Sequence, residues 1–188
     1  MHFPSVFLLL PALWLSLFSC NQGNVELDNA GDKPLVVRVD ELSYTLAPGE
    51  YKLIKLDQGR HIVTVKDEAG EKISEGTFSV DKGGLLNVAG ASYYIWTDLY
   101  GNTANKESHL NEAWIKIGKD EIFGEFTLLP KEQLYTEKAW DFGLKEDFPE
   151  YRFGMELTED KYVIESKLYR ESELVEAYFQ AAEAGEQQ

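Results

Sequence analysis

Between Val25 and Tyr100 short apolar runs alternate with clusters of turn residues, and the period is that of strands. Residues 34–39 are rich in β-branched side chains and end at Asp40-Glu41. Leu42-Ser43-Tyr44-Thr45-Leu46 alternates strictly and stops at Ala47-Pro48-Gly49-Glu50. Residues 51–56, 61–66 and 73–80 follow, punctuated by Asp57-Gln58-Gly59, Asp67-Glu68-Ala69-Gly70 and Asp81-Lys82-Gly83-Gly84. Strands of this length, with turns about every 8–12 residues, predict an antiparallel sandwich or barrel. Residues 91–100 are the most aromatic segment. As a strand they place Tyr93, Ile95, Thr97 and Leu99 on one face and Tyr94, Trp96, Asp98 and Tyr100 on the other.

The pattern then breaks at a loop, 101–106. Residues 113–117 and 121–129 flank Gly118-Lys119-Asp120 and predict a β-hairpin, closed by Pro130. Residues 131–149 are acidic and studded with Trp140, Phe142 and Phe148, without a clear period; 161–169 alternate in part and predict a strand. At the end, Leu174, Val175, Tyr178, Phe179, Ala181 and Ala182 recur at helical spacing. Ser172 can cap this helix, Glu173 and Glu176 suit its positive end, and Gly185 can stop it. The expected fold is mainly β: an N-terminal Ig-like antiparallel β-sandwich over 25–101, then a smaller β-rich region with a C-terminal helix over 102–188.

The first twenty residues differ in kind. They carry no Asp, Glu, Lys or Arg, and residues 6–18 are an apolar run broken by Pro11, shorter than the ~20 residues a membrane span needs. This predicts a signal-peptide core, with the signal peptide over 1–19. The run ends in Leu17-Phe18-Ser19-Cys20, and Cys20 is the chain's only cysteine. An intramolecular disulfide and a multi-cysteine zinc site are therefore excluded. Leu17 and Ser19 before the cysteine resemble the lipobox of bacterial lipoproteins. The resemblance implies cleavage before Cys20 and a membrane anchor of lipid on that residue. Asn21-Gln22-Gly23-Asn24 reads as the tether, spanning little more than ~10 Å. By the sorting rule of such proteins, an Asp at position 21 favours inner-membrane retention, so Asn21 implies the outer membrane.

Residues 44–65, ending in Gly59-Arg60-His61-Ile62-Val63-Thr64-Val65, also resemble small Ig-like modules of the PEGA and carboxypeptidase-regulatory kind. Such modules are generally spacers or binding units. Lipobox and module together resemble lipoproteins of the Bacteroidetes group. The acidic export signal of that group is missing from residues 21–24, which implies a body facing the periplasm.

Charge narrows the partners. The net charge is −15, with 13 acids against 8 bases over 21–100 and 20 against 10 from Gly101 onward. A body this acidic repels phosphate backbones, so nucleic acid is not an expected partner, and basic residues do not hold it on an anionic membrane. Candidate chemistry is sparse. Tyr94, Trp96, Asp98 and Tyr100 could form a platform that stacks on a sugar ring or a protein partner, with Asp98 as an acceptor; a strand buried on both faces uses the same aromatics. Paired carboxylates could hydrolyse an envelope glycan. Glu125, Asp141 and Glu156 lie near aromatics, but nothing in the sequence selects two of them. His61 and His109 stand apart with no ligand spacing, and the acidic turn 67–71 lacks the ligand pattern of a calcium loop. Asp141-Phe142-Gly143 spells a kinase magnesium motif without its companions. No catalytic residue, metal or cofactor is expected. The reading is a lipid-anchored envelope protein with a binding or assembly role; the alternative is the glycan hydrolase.

Overall fold

The computed structural model describes residues 22–101, 109–147 and 162–185. Cys20, the signal segment and Glu156 lie outside them. The described residues are mainly β, with one helix at their C-terminal end, as the periodicities predict. The strands are β1 (Gln22–Asp28), β2 (Leu35–Val39), β3 (Leu42–Leu46), β4 (Tyr51–Asp57), β5 (Gly59–Asp67) and β6 (Lys72–Val80). They continue with β7 (Gly83–Asn87), β8 (Tyr93–Gly101), β9 (Ala113–Ile117), β10 (Asp120–Leu129), β11 (Tyr135–Glu137) and β12 (Tyr162–Arg170), and α1 (Glu171–Gly185) follows. No helix among the described residues is long and apolar enough to cross a membrane.

Among the described residues three four-stranded sheets form. An outer sheet has the order β3-β2-β5-β6, an inner one β11-β7-β1-β4, and a third β12-β8-β10-β9. The outer and inner sheets make the sandwich. Its core is built from the inward positions of alternating strands: Val25 and Leu27 of β1, Val37 and Val39 of β2, Ile54 and Leu56 of β4, Val63 and Val65 of β5, with Phe78, Val80 and Leu86. The turns work as their residues suggest. Asp40 adopts a left-handed φ of 50°, which the short polar side chain of Asp tolerates, and so reverses β2 into β3.

The inner sheet is covered on both faces. Leu85 on the far side of β7 packs with Tyr93, Ile95, Leu129 and Leu168 of the third sheet, and Trp140 and Leu144 join them. On the other face of the third sheet, Trp96, Ile122 and Tyr169 meet Leu174, Val175 and Tyr178 of α1. The order of layers is thus sheet, sheet, sheet, helix. Two features depart from the sequence reading. Gln22, Gly23 and Asn24 belong to β1, antiparallel to β4 and parallel to β7, so they are not a free tether. Also, β11 leaves the C-terminal region to pair with β7 at the edge of the sandwich.

Candidate functional sites

The central strand β1 carries two carboxylates among its buried positions. Val25 and Leu27 point into the sandwich core, so Glu26 and Asp28 point toward the third sheet. Asp28 is fully buried; it receives the Tyr93 hydroxyl at 2.7 Å and Arg170 Nε at 2.9 Å, and a second Arg170 nitrogen bonds its other oxygen. Arg170 also donates to the Gly49 carbonyl and to Glu173. The Asp28 carboxylate beside it raises the guanidinium's already high pKa. Burial against Asp28 pushes the Tyr93 hydroxyl far up, so this tyrosine stays neutral.

Two positions away, Glu26 accepts Trp140 Nε1 at 3.2 Å and the Leu144 N–H at 2.9 Å. Burial still raises its pKa, outweighing both donors. Tyr51, facing the same layer, is pushed up to about 12 by burial and by the acids around it. Every oxygen of Glu26 and Asp28 has a partner from a neighbouring layer, and the two side chains fasten the third sheet to the sandwich. Sequence reasoning missed both. Their alternation with Val25 and Leu27 was the available signal, but it reads equally as a half-exposed strand.

The predicted aromatic face divides. Trp96 is buried, with Phe126, Tyr169 and Tyr178 rings at 6.0, 6.0 and 5.9 Å. Its face is therefore filled by the chain's own aromatics beneath α1. Tyr94 is half-buried beside this cluster, its hydroxyl pKa raised by burial and by Glu171. Asp98 and Tyr100 are half-buried further along β8, and Asp98 accepts the Leu99 N–H. The four share one strand face, but the helix covers it at Trp96.

A different aromatic pair lies open. Trp114 of β9 and Phe123 of β10 are cross-strand partners with ring centroids 5.3 Å apart. Trp114 is 69% exposed and Phe123 40%. On the same ladder Lys116 stands opposite Glu121. The hairpin was legible in the sequence, but the exposure was not, because Trp114-Ile115-Lys116-Ile117 does not say which face the helix will cover.

Of the candidate acids, Glu156 lies outside the described residues. Glu125 accepts the Asn111 N–H, and Asp141 accepts the Ser166 N–H and hydroxyl, so each closes local structure. A cleft of about 530 Å³ opens where the β9–β10 turn meets the start of α1, lined by Ala30, Lys119, Asp120, Arg170, Glu171 and Ser172. Of the histidines, His109 is exposed, its ring 4.3 Å from Tyr162.

His61 is more informative. Its Nδ1 lies 2.6 Å from Asp40 Oδ2 and its Nε2 2.7 Å from the Asp57 carbonyl. Burial disfavours its charge, but both partners are acceptors, and together they raise its pKa and favour the doubly protonated ring. Asp40 is held low, first by the Ile62 N–H and then by His61. In the turn at 67–71, Asp67 Oδ1 accepts the Glu71 N–H, and among the described residues no group of His, Cys, Asp or Glu is placed to hold a metal. Comparison of the chain with protein-family models, with curated proteins and with solved structures returns no match.

Proposed function

We propose that this chain is a lipid-anchored protein of the cell envelope, attached through Cys20, that binds an envelope protein or glycan and does no chemistry on it. The location rests on the sequence Leu17-Phe18-Ser19-Cys20 at the end of an uncharged apolar run. By the same resemblance the membrane is the outer one and the body faces the periplasm.

The binding role is carried by one observation, the exposed pair Trp114 and Phe123. A large aromatic left in water forgoes about 1.5–3 kcal/mol of burial that the fold could have gained. Tyr and Trp so placed dominate the energetics of contact surfaces, since they cover much area with few rotors. Lys116 and Glu121 beside the pair supply the polar rim of such a surface.

The test is crosslinking in intact cells, followed by detergent purification and mass spectrometry, on the native chain, Cys20→Ala and Trp114→Ala. The expected result is one dominant partner on the native chain, lost with Trp114→Ala and weakened with Cys20→Ala. A native chain that captures no partner, or a Trp114→Ala chain that captures the same one equally, overturns the binding role.

A further inference from the structure

The end of the sandwich at which β1 begins carries three turns. Gln22 pairs with Asp57, the last residue of β4, and its side-chain amide bonds Asp57 Oδ1 at 3.0 Å. β5 leaves the same turn, and β6 returns to it, with Gly59 paired to Val80. Gln58 donates to the Asp81 carbonyl at 2.7 Å and ties the β4–β5 turn to the β6–β7 turn. His61 joins the third turn, since it bonds Asp40 between β2 and β3 and the Asp57 carbonyl together. A cleft of about 270 Å³ lies among them, lined by Gln22, Asp40, Leu42, Lys55, Asp57 and His61. These hydrogen bonds tie the three turns to one another.

Cys20 is two residues before Gln22, and two residues of extended chain reach only about 7 Å. A lipid on Cys20 therefore holds this end of the described body at headgroup level. We infer that the three-turn end of the sandwich, residues 38–42, 55–61 and 81–83, is a docking face for the lipid headgroups of the membrane that carries the anchor.

The charge of this end fits such a partner where the rest of the chain does not. The whole carries −15, but here Arg38, Lys55, Arg60 and Lys82 match Asp40, Glu41, Asp57 and Asp81 one for one. Each acid has a partner: Asp40 the His61 ring and the Ile62 N–H, Asp57 the Gln22 amide, Asp81 the Gln58 amide, and Glu41, itself 92% exposed, the Arg38 guanidinium. Lys55, Arg60 and Lys82 are exposed at this end, Arg60 within 3.4 Å of the Thr77 hydroxyl, and can meet lipid phosphates at short range, where screening is weakest. Leu42 and Ile62, 52% and 60% exposed, flank the Asp40 turn and supply apolar contact at interfacial depth. Docked in this way, the cation-bearing turns face the anionic surface.

This inference rests on the lipidation reading, and one preparation separates the two. The full chain is produced in cells, purified from their membranes and placed in vesicles of phosphatidylethanolamine with a minority of phosphatidylglycerol. The mass of the N-terminal peptide reads whether Cys20 bears lipid, and amide hydrogen exchange reads docking. The expected result is exchange several-fold slower than in neutral detergent across 38–42, 55–61 and 81–83, with 47–50 and 67–71 unchanged. Lys55→Glu, Arg60→Glu and Lys82→Glu together should remove that protection and leave the mass on Cys20 as it was. Uniform exchange, or protection at 47–50 and 67–71 instead, overturns the docking face even if Cys20 is lipidated. If Cys20 is bare, the lipidation reading fails; the same chain coupled through Cys20 to a maleimide lipid then decides docking by the same pattern.

Discussion

Arg170 at the end of β12 and Asp28 at the end of β1 stand 142 positions apart in sequence and form a two-pronged ion pair at the junction of the sandwich and the third sheet. The pair is nearly closed to water, with Asp28 wholly buried. Its desolvation cost is offset by completeness, because Tyr93 and the Gly49 carbonyl take up the remaining lone pair and donor. Breaking it from one side leaves a buried charge. Arg170→Met should therefore cost about 3–5 kcal/mol in urea unfolding, and Asp28→Asn with Arg170→Met should cost clearly less than the two single changes summed. A loss below about 1 kcal/mol for Arg170→Met would show that the third sheet is held by its apolar contacts alone.

Glu26 gives the junction a pH dependence of known sign. Burial holds its folded pKa above the ordinary value of 4.5. The carboxyl therefore contributes stability that is fully present below about pH 4.5 and fades as pH rises through the elevated folded value. Glu26→Gln removes that titration but keeps only one acceptor for two donors, Trp140 Nε1 and the Leu144 N–H. At low pH it should be less stable than the native chain by about 1–3 kcal/mol, the cost of one buried donor left unmet. The gap should narrow as pH rises toward neutrality. A gap that widens with pH, measured by thermal or urea unfolding at each pH, would reverse the assignment.

Much of this fold could be read from alternation and turn chemistry. β2 to β6 lie where the apolar-polar pattern puts them, since each has one face in the sandwich core and one in water. The β9–β10 hairpin and the C-terminal helix were legible for the same reason, though α1 begins at Glu171 and so takes Ser172 into its first turn. The pattern fails where a strand is covered on both sides. Glu26 and Asp28 look like the wet face of β1, and only Trp140 and Arg170, more than a hundred positions on, make them buried. The site candidates suffered from the same ambiguity. Trp96 and Trp114 each sit beside an isoleucine that points to the opposite face, Ile95 and Ile115, so both faces read as apolar and which one α1 covers is a tertiary fact.

That contrast between the two tryptophans is measurable. Trp96→Ala empties the centre of the cluster formed with Phe126, Tyr169 and Tyr178 and should cost about 3–5 kcal/mol. Trp114→Ala removes only an exposed cross-strand partner of Phe123 and should cost less than about 1 kcal/mol. Near-equal losses in urea unfolding would mean that Trp114 is held by contacts its exposure does not show.

The attachment of β11 depends on a glycine. Tyr135-Thr136-Glu137 pairs antiparallel with Leu86, Leu85 and Gly84 of β7, the only strand of the second region to join the sandwich among the described residues. A three-residue strand gains little from its ladder, so it needs close backbone approach. A Cβ on Gly84 would stand 2.1 Å from the Thr136 carbonyl oxygen and 2.9 Å from the Tyr135 hydroxyl. The first contact is with backbone and cannot be relieved by a rotamer change. Gly84→Ala should therefore push β11 off β7, at a cost of about 1–3 kcal/mol for the displaced contacts. Amide exchange should rise sharply at 135–137 while β2 and β5, across the core, keep their protection. If 135–137 remains protected in Gly84→Ala, the edge pairing is not what holds this segment, and the packing of Tyr135 against Phe78 at 4.6 Å must be sufficient alone.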